Sequence, residues 1–268
     1  MSIITAAVSS PITIFRGILN RFFIYLGELA FLVARAAAYI LRGNVDIRDL
    51  LQQMAAIGFN SIPIAVLTTL SSGSVIALYF APFLIKYGAG NLTGAVVALA
   101  LGRELVPVLV GVVVAARAGS AIAAEIGTMK VSEQIDALRS LAVSPVQYLV
   151  VPRLLACVIV LPCLCVVADF TGLLGGYFVA VWQGVPATSY PQSIHDFVVL
   201  RDFTSGIIKT VVFGVIIALV SCHQGLITRG GATGVGRATT NAVVLSVVLI
   251  YIFDFVLAYL MYGGGTGQ

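Results

Sequence analysis

Five uninterrupted apolar runs, at residues 60–81, 92–116, 152–182, 204–222 and 241–262, constrain this chain more than any other feature. Each is near or above the roughly 20 residues a helix needs to cross the hydrocarbon core of a bilayer. A membrane-crossing β-barrel would instead show segments of about ten residues alternating apolar and polar. Composition rules out a soluble or a disordered chain. Of the 268 residues, 60% are hydrophobic and 10% charged, with a mean hydropathy of +1.07. Soluble domains carry about 25% charged residues, so this chain cannot cover a water-facing surface, and its apolar mass excludes disorder. The sequence reads as an all-α integral membrane protein forming a single domain over residues 1–268.

A sixth apolar stretch, Phe22 to Leu41, differs from the five. Glu28 and Arg35 lie inside it and Arg16, Arg21, Arg42 and Arg48 around it, while Phe22, Phe23, Leu26, Leu29 and Leu32 form an apolar stripe. Charge on one side and apolar bulk on the other suit a helix lying in the membrane interface, so residues 14–48 read as an interfacial element and spanning is the alternative. The basic residues support this choice. With the N-terminus cytoplasmic and five spans, Arg16, Arg21, Arg35, Arg42, Arg48, Arg117, Lys130, Arg139, Arg153, Arg229 and Arg237 fall inside, and only Lys86 and Arg201 fall in outer loops. That asymmetry is the positive-inside pattern. A sixth span would move Arg16 and Arg21 outside. The net charge of +4 is therefore topological, and nucleic acid is not an expected partner. The N-terminal segment reads as carrying no removable signal.

The cytoplasmic loop from Arg117 to Pro152 holds the densest remaining charge. Ser132 is expected to cap a helix starting at Glu133, with Asp136 in its first turn and Arg139 near its end, an order that complements the helix dipole. Val131, Ile135, Leu138 and Ala142 would share one face, and Ser144-Pro145 would stop it. The outer loop 183–203 could form a short amphipathic helix after Pro191. No internal repeat is visible.

Several charges fall within the apolar runs, where each costs several kcal/mol on insertion scales. Arg103 and Glu104 lie mid-way along the second run, Asp254 at similar depth in the fifth, and Lys209 and Asp169 nearer the outer side. Matching depths predict Arg103 with Asp254, and Lys209 with Glu104 or Asp169. Pro107 has no N–H, so the Arg103 carbonyl loses its helical donor. These groups either lock helices together or line a polar path through the bundle. Cys157, Cys163, Cys165 and Cys222 lack the spacing of a metal site or disulfide framework and read as small buried hydrophobes. No metal or cofactor is expected. The nearest approach to a phosphate-binding loop, Gly231 to Gly236 with Arg237-Ala238, lacks the lysine and hydroxyl of that motif, so ATP hydrolysis would have to come from another chain.

Four stretches carry a family resemblance: RELVPVL (Arg103–Leu109), ARAGSAIAAEIGTMKVSEQIDAL (Ala116–Leu138), SPVQYLVVPR (Ser144–Arg153) and GVGRATTNAVV (Gly234–Val244). Over most of its length after about residue 50, the chain resembles the MlaE/YrbE permeases, membrane subunits of ABC transporters associated with MCE proteins. Gly102, Ala116, Ala142 and Ser144 depart from the pattern at loop or packing positions. The resemblance implies a homodimeric lipid permease with an N-terminal interfacial element and five spans. It implies a coupling helix, with Glu125, Lys130, Glu133, Gln134, Asp136 and Arg139, that docks on a cytoplasmic ABC ATPase. It also implies an MCE-domain lipid-binding protein on the outer side and a small cytoplasmic regulatory subunit. The expected location is the bacterial inner membrane, ahead of a plastid inner envelope. Two other functions fit the residues less well: an ion-coupled transporter with Glu104 and Asp254 as relays, and a membrane-embedded lipid-modifying enzyme. The second would need clustered acids or a His beside a nucleophile, and His195 and His223 fall on opposite sides of the membrane.

Overall fold

The computed structural model describes residues 11–42 and 46–263. Most of the N-terminal segment expected to carry no removable signal lies outside them. Every regular element among the described residues is helical. Helix α1 (Pro11–Leu41) comes first, then α2 (Ile47–Gly58), opened by the Asp46 carboxylate accepting the Arg48 N–H at 2.9 Å. A 3-10 turn joins α2 to α3 (Ile62–Lys86). Next come α4 (Thr93–Ala100), α5 (Val106–Val114) and α6 (Ser120–Val131), joined through π-helical segments Leu101–Leu105 and Ala115–Gly119. The short α7 (Gln134–Ser140) and a π-helical turn lead into α8 (Val151–Trp182). The chain ends with α9 (Ser189–Phe197), α10 (Leu200–Leu226) and α11 (Gly231–Tyr262).

Five segments of the described residues are long and apolar enough to cross a membrane: Ile47–Lys86, Gly90–Val131, Val146–Trp182, Leu200–Leu226 and Gly231–Tyr262. Helix α1 is not among them. The first two have 40 and 42 residues, about 60 Å of helix at 1.5 Å per residue, twice the roughly 30 Å hydrocarbon core. They therefore project well past it. The apolar run ends at residue 116 and a loop is expected from Arg117, but the helix continues to Val131. Alanine-rich sequence favours helix, and small residues seat the stretch Gly119–Val131 against α10 and the residues just after it: Gly119 lies against Ser221, Gly127 against Thr228 and Gly225 against Ile126.

Helices α8 and α10 form the buried centre, whereas α3 and α11 present most of their surface outward. On α11 that surface includes Tyr251, Phe255, Tyr259 and Leu260. Cys157, Cys165 and Cys222 are buried as expected, but Cys163 faces outward from α8, because it lies two residues, about 200°, from Cys165 around the helix. Of the apolar stripe on α1, Leu29 and Leu32 are buried with Ala36 in the core, while the side chains of Phe22, Phe23 and Leu26 lie outside the described set. Glu28 Oε2 lies 2.9 Å from Nε2 of His223 on α10, within hydrogen-bond distance. Helix α9 starts two residues before Pro191 and is anchored by Tyr190, whose hydroxyl donates to the Leu173 carbonyl at 3.3 Å.

The seam between α3 and α8 depends on missing side chains. A Cβ on Gly73 would stand 2.0 Å from the Gly172 carbonyl oxygen, and one on Gly175 would stand 2.3 Å from that of Leu70. Thr69 and Thr171 share a hydroxyl hydrogen bond of 2.9 Å in the same seam. Close approach of small residues gives dispersion contacts where lipid supplies no hydrophobic drive. Gly73→Ala must push the backbones of α3 and α8 apart, so it is expected to cost at least about 1–3 kcal/mol, read as a lowered melting temperature in detergent. Gly27→Ala, with nothing within 4 Å of the added carbon, should not lower it.

Candidate functional site

The π-helical segment Leu101–Leu105 opens the helix by one residue, with the Val106 N–H reaching back to the Leu101 carbonyl. Together with Pro107 this frees the Arg103 carbonyl from the helical ladder, and Lys209 of α10 donates to it at 3.0 Å. The same ammonium contacts Glu104 Oε2 at 2.7 Å and Asp254 Oδ1 at 3.0 Å. Lys209 is fully buried; the Arg103 carbonyl and Glu104 accept its hydrogen bonds, and Asp254 Oδ1 supplies an opposing charge without accepting one. Helices α10 and α5 come close enough for this because Gly206 faces the Gly102 carbonyl, where a Cβ would lie at 2.3 Å.

The expected pair of Lys209 with Glu104 is present; that of Arg103 with Asp254 is not. Arg103 places Nε and Nη2 on Asp202 Oδ1 at 2.8 and 2.7 Å, and its guanidinium stacks 4.8 Å from the Tyr262 ring centre. Depth along the membrane normal is readable from the sequence, but the direction each side chain faces is not. Hydropathy alone misses Asp202, because it places the residue in the outer loop. Helix α10 begins at Leu200, ahead of the apolar run, and Asp202 accepts the Val199 N–H at 3.0 Å from within its first turn. The signal that could have found it is an acidic residue three positions into a helix after an extended Val-Val pair. Tyr262 also hydrogen-bonds Ser205 through its hydroxyl, which ties the end of α11 to the same spot.

Asp169 does not join this cluster. One of its carboxylate oxygens takes a weak contact from Cys165 Sγ at 3.8 Å, and the other has no hydrogen-bond partner among the described residues. The α8 face carrying Asp169 meets Thr210 through Cys165, and consecutive α10 residues point about 100° apart, so Lys209 faces elsewhere. The assembled cluster has two cations and three carboxylates. Lys209 is sealed at its centre, while the Arg103 and Glu104 side chains are 39% and 44% exposed at its edge. It joins the second, fourth and fifth membrane-crossing segments through charge and keeps a partly exposed polar edge.

The second group of predicted residues lies at the far end of the Gly90–Val131 rod, in a hairpin of α6 and α7. Glu133 takes a left-handed conformation, φ 60°, so α7 starts at Gln134. Ser132 does not cap it; its hydroxyl donates to the Thr128 carbonyl at 2.8 Å and finishes α6 instead. The reversal leaves no room for an extended cap residue. At the other end Ala142, φ 59°, closes α7 before Ser144-Pro145 is reached, with the Val143 N–H on Leu138 and the Ala142 N–H on Arg139. This is the Schellman arrangement usually given to glycine. Ile135 is buried and Leu138 packs against the core, but Val131 and Ala142 face outward, so the expected four-residue apolar face is half that size.

Asp136 organises the hairpin, pairing with Lys130 at 2.9 Å and Arg139 at 3.0 Å. The hydrogen bond from Lys130 and the two nearby cations hold its carboxyl below the ordinary value of 3.8. Glu125 is not on the short helix. It lies on α6 and reaches across to Arg153 at the base of α8, Oε1 to Nη2 2.9 Å, while Arg153 Nη1 donates to the Leu149 carbonyl at 2.7 Å. Arg153 is buried, so this strut closes the hairpin at its root.

Known proteins share much of this chain. The family described as Permease MlaE matches residues 50–260. A probable ABC transporter permease protein of Synechocystis is 44% identical over 239 residues, 89% of this chain and 90% of that protein. One of Rickettsia typhi is 42% identical over 228 residues, 85% and 88% of the two chains. The chloroplastic protein trigalactosyldiacylglycerol 1 of Arabidopsis thaliana is 40% identical over 226 residues, 84% of this chain and 65% of that one.

Lys209→Met would leave Glu104 and Asp254 facing each other without a cation, and breaking a buried pair from one side costs about 3–5 kcal/mol. Denaturation in detergent should report that loss, whereas Asp169→Asn, which breaks no ion pair, should cost far less. The hairpin should respond to acid through Asp136. A carboxyl whose value is lowered on folding stabilises above its unfolded value and loses that contribution as pH falls through the folded one. The protection of amides 130–142 against exchange, taken relative to the intrinsic rate at each pH, should therefore stay constant from neutral pH down to about pH 5 and fall only in stronger acid.

Proposed function

Because the chain belongs to the MlaE permease family, we propose that it is a lipid-moving ABC permease working as a homodimer in a bacterial inner membrane. It is a multi-pass membrane protein and a transport subunit, and ATP is hydrolysed on a separate ATPase chain. The substrate is phospholipid-like. The N-terminus and the α7 hairpin face the cytoplasm, where the ATPase docks on α7 and a small regulatory subunit can join. An MCE-domain protein on the outer side exchanges lipid with the permease. The name of the chloroplast relative is that of a galactosyl diacylglycerol, which supports a glycerolipid as the cargo in general. The positive-inside distribution supports the orientation.

One observation carries the mechanism: a single helical rod, Gly90–Val131, bears the intramembrane charges at Arg103 and Glu104 and ends in the α7 hairpin. ATP binding on the partner would shift α7. Through the continuous helix that displacement reaches the π-helical segment at Leu101–Leu105, where the widened turn gives a point of yield. In the described conformation both cations are engaged, Arg103 by Asp202 and Lys209 by Glu104 and Asp254, so the cluster acts as a lock. Moving the rod relative to α10 frees Arg103 and Glu104, the two partly exposed members, to meet a lipid headgroup. The Glu125–Arg153 strut makes α8 move with the rod, so the push is not lost in the connecting turn.

Purification of the chain with its associated proteins, followed by lipid extraction, tests the core of this reading. An ABC ATPase, two copies of the permease and bound phospholipid are expected. A single copy, or transport driven by a proton gradient without an ATPase, would overturn it. Glu125→Gln tests the strut. The complex should assemble and hydrolyse ATP, while lipid transfer falls roughly tenfold, the equivalent of about 1.4 kcal/mol of lost coupling.

A further inference from the structure

A cavity of about 360 Å³ lies between α1 and the α7 hairpin and takes no part in the lock-and-rod mechanism. Arg35 and Tyr39 enter it from α1, Arg139 from α7 and Ser144 from the connecting strap, and Val146 and Leu226 contribute apolar wall. On the other side of the same strap, Ala142 to Ser144, a second cavity of about 290 Å³ contains Asp46 and Asp49. Charge is therefore sorted across the strap, with guanidinium groups on one side and carboxylates on the other. The basic cavity also has a defined height. Val146 is the first residue of one membrane-crossing segment and Leu226 the last of another. The apolar runs of these two segments stop at residues 152 and 222, so Val146 and Leu226 stand six and four residues beyond them, about 6–9 Å of helix at 1.5 Å per residue, which is headgroup depth next to the bilayer core.

We propose that this cavity binds the phosphate group of an anionic phospholipid from the leaflet bordering α7. Two guanidinium forks suit phosphate oxygens, which they can grip in pairs. Arg35 makes no ion pair among the described residues, and its guanidinium is steadied by the Phe31 ring at 5.5 Å from the centroid. Arg139 shares one terminal nitrogen with Asp136 and has further N–H groups to offer. The hydroxyls of Tyr39 and Ser144 can complete the shell, and Val146 and Leu226 meet the glycerol end of the lipid. Basic pockets between membrane helices on the cytoplasmic side are a recurrent mode of anionic headgroup binding. Such an apolar wall suits a lipid better than a hydrated inorganic ion. The site is separate from the Arg103 cluster, and it ties α1 to α7. Occupancy therefore braces the hairpin on which the ATPase docks, which makes the anionic lipid a regulator as well as a neighbour. The cytoplasmic assignment of this leaflet rests on the orientation proposed for the transporter; the binding itself does not.

The test uses the purified permease–ATPase complex in neutral detergent, with melting temperature followed against added phosphatidylglycerol, phosphatidylcholine or inorganic phosphate. Phosphatidylglycerol should raise the melting temperature, and the other two should not. Arg35→Gln and Arg139→Gln should each weaken the phosphatidylglycerol response about tenfold, the scale of one charge-assisted contact. Arg35→Lys keeps the charge without the fork and should fall between. If a Gln variant does not fold, the position of Arg35→Lys decides. An equal response to phosphatidylcholine, a response to inorganic phosphate alone, or a phosphatidylglycerol response unchanged in the variants would overturn the proposal. The readout is binding, so such a failure leaves the transport reading intact, and failure of transport leaves this one intact.

Discussion

A lysine with no exposed surface, at the centre of a helical bundle made for lipid, sets conditions on everything around it. Removing an ammonium from water costs several kcal/mol even after relaxation, and Lys209 recovers that only if two acceptors and a further opposing charge are already in place. Glu104, Asp254 and the Arg103 carbonyl come from two other membrane-crossing segments. The carbonyl is available because Pro107 supplies no N–H and the π-helical turn at Leu101–Leu105 widens the helix. Gly206 lets the helices approach to within reach. A proline, a helix defect and a glycine, each unfavourable in an isolated helix, thus become consistent once Lys209 is placed.

The cluster also explains how helices with little hydrophobic reason to associate hold one arrangement. In lipid, apolar surface gains nothing by meeting apolar surface, and association falls to close packing and polar contacts. The protein uses packing in both places and charge in one. Near α3 and α8 glycine lies against carbonyl at Gly73 and Gly175. Around α10 the same kind of contact, Gly206 against the Gly102 carbonyl, is joined by ion pairs, with Arg103–Asp202 at the rim and Lys209 at the centre. Packed backbones resist sliding, whereas ion pairs can exchange partners. The α3–α8 seam therefore has only packing and a hydroxyl contact to hold it, and the α10 contact has in addition a set of charges able to re-pair.

Much of this is legible in the sequence, and the features that are not share a cause. The five runs, the intramembrane charges and the Glu104–Lys209 contact all depend on position along the chain, which hydropathy and a fixed rise per residue supply. The Arg103–Asp254 expectation fails because equal depth says nothing about which way two side chains face. Asp202 and the stretch Arg117–Val131 pass for loop because polar residues at helix ends resemble it. A helix that extends past the bilayer has no reason to remain apolar. Ser132 resembles a cap because Ser before an acidic residue is the usual signature. The left-handed reversal at Glu133 leaves it no extended conformation to adopt. Glu125 falls with the short helix when the motif is taken as one unit, yet the motif spans two helices and a turn.

The strut between Glu125 and Arg153 bears on how force could travel. A hairpin joined to the bundle only by its two chain ends would hinge at Glu133 and at the Val146–Val150 turn, and displacement of α7 would be absorbed there. Arg153 removes that freedom at one point. Its guanidinium is buried, holds Glu125 of α6, and donates a second hydrogen bond to the carbonyl of Leu149 within the π-helical turn itself. The turn that would otherwise yield is thereby tied to α8, which follows it, and through Glu125 to α6. What remains able to yield on the Gly90–Val131 rod are the π-helical segments at Ala115–Gly119 and Leu101–Leu105, and the second of these carries the charges. A displacement imposed at the hairpin is thus stiffened at its origin and released where Arg103 and Glu104 meet their partners.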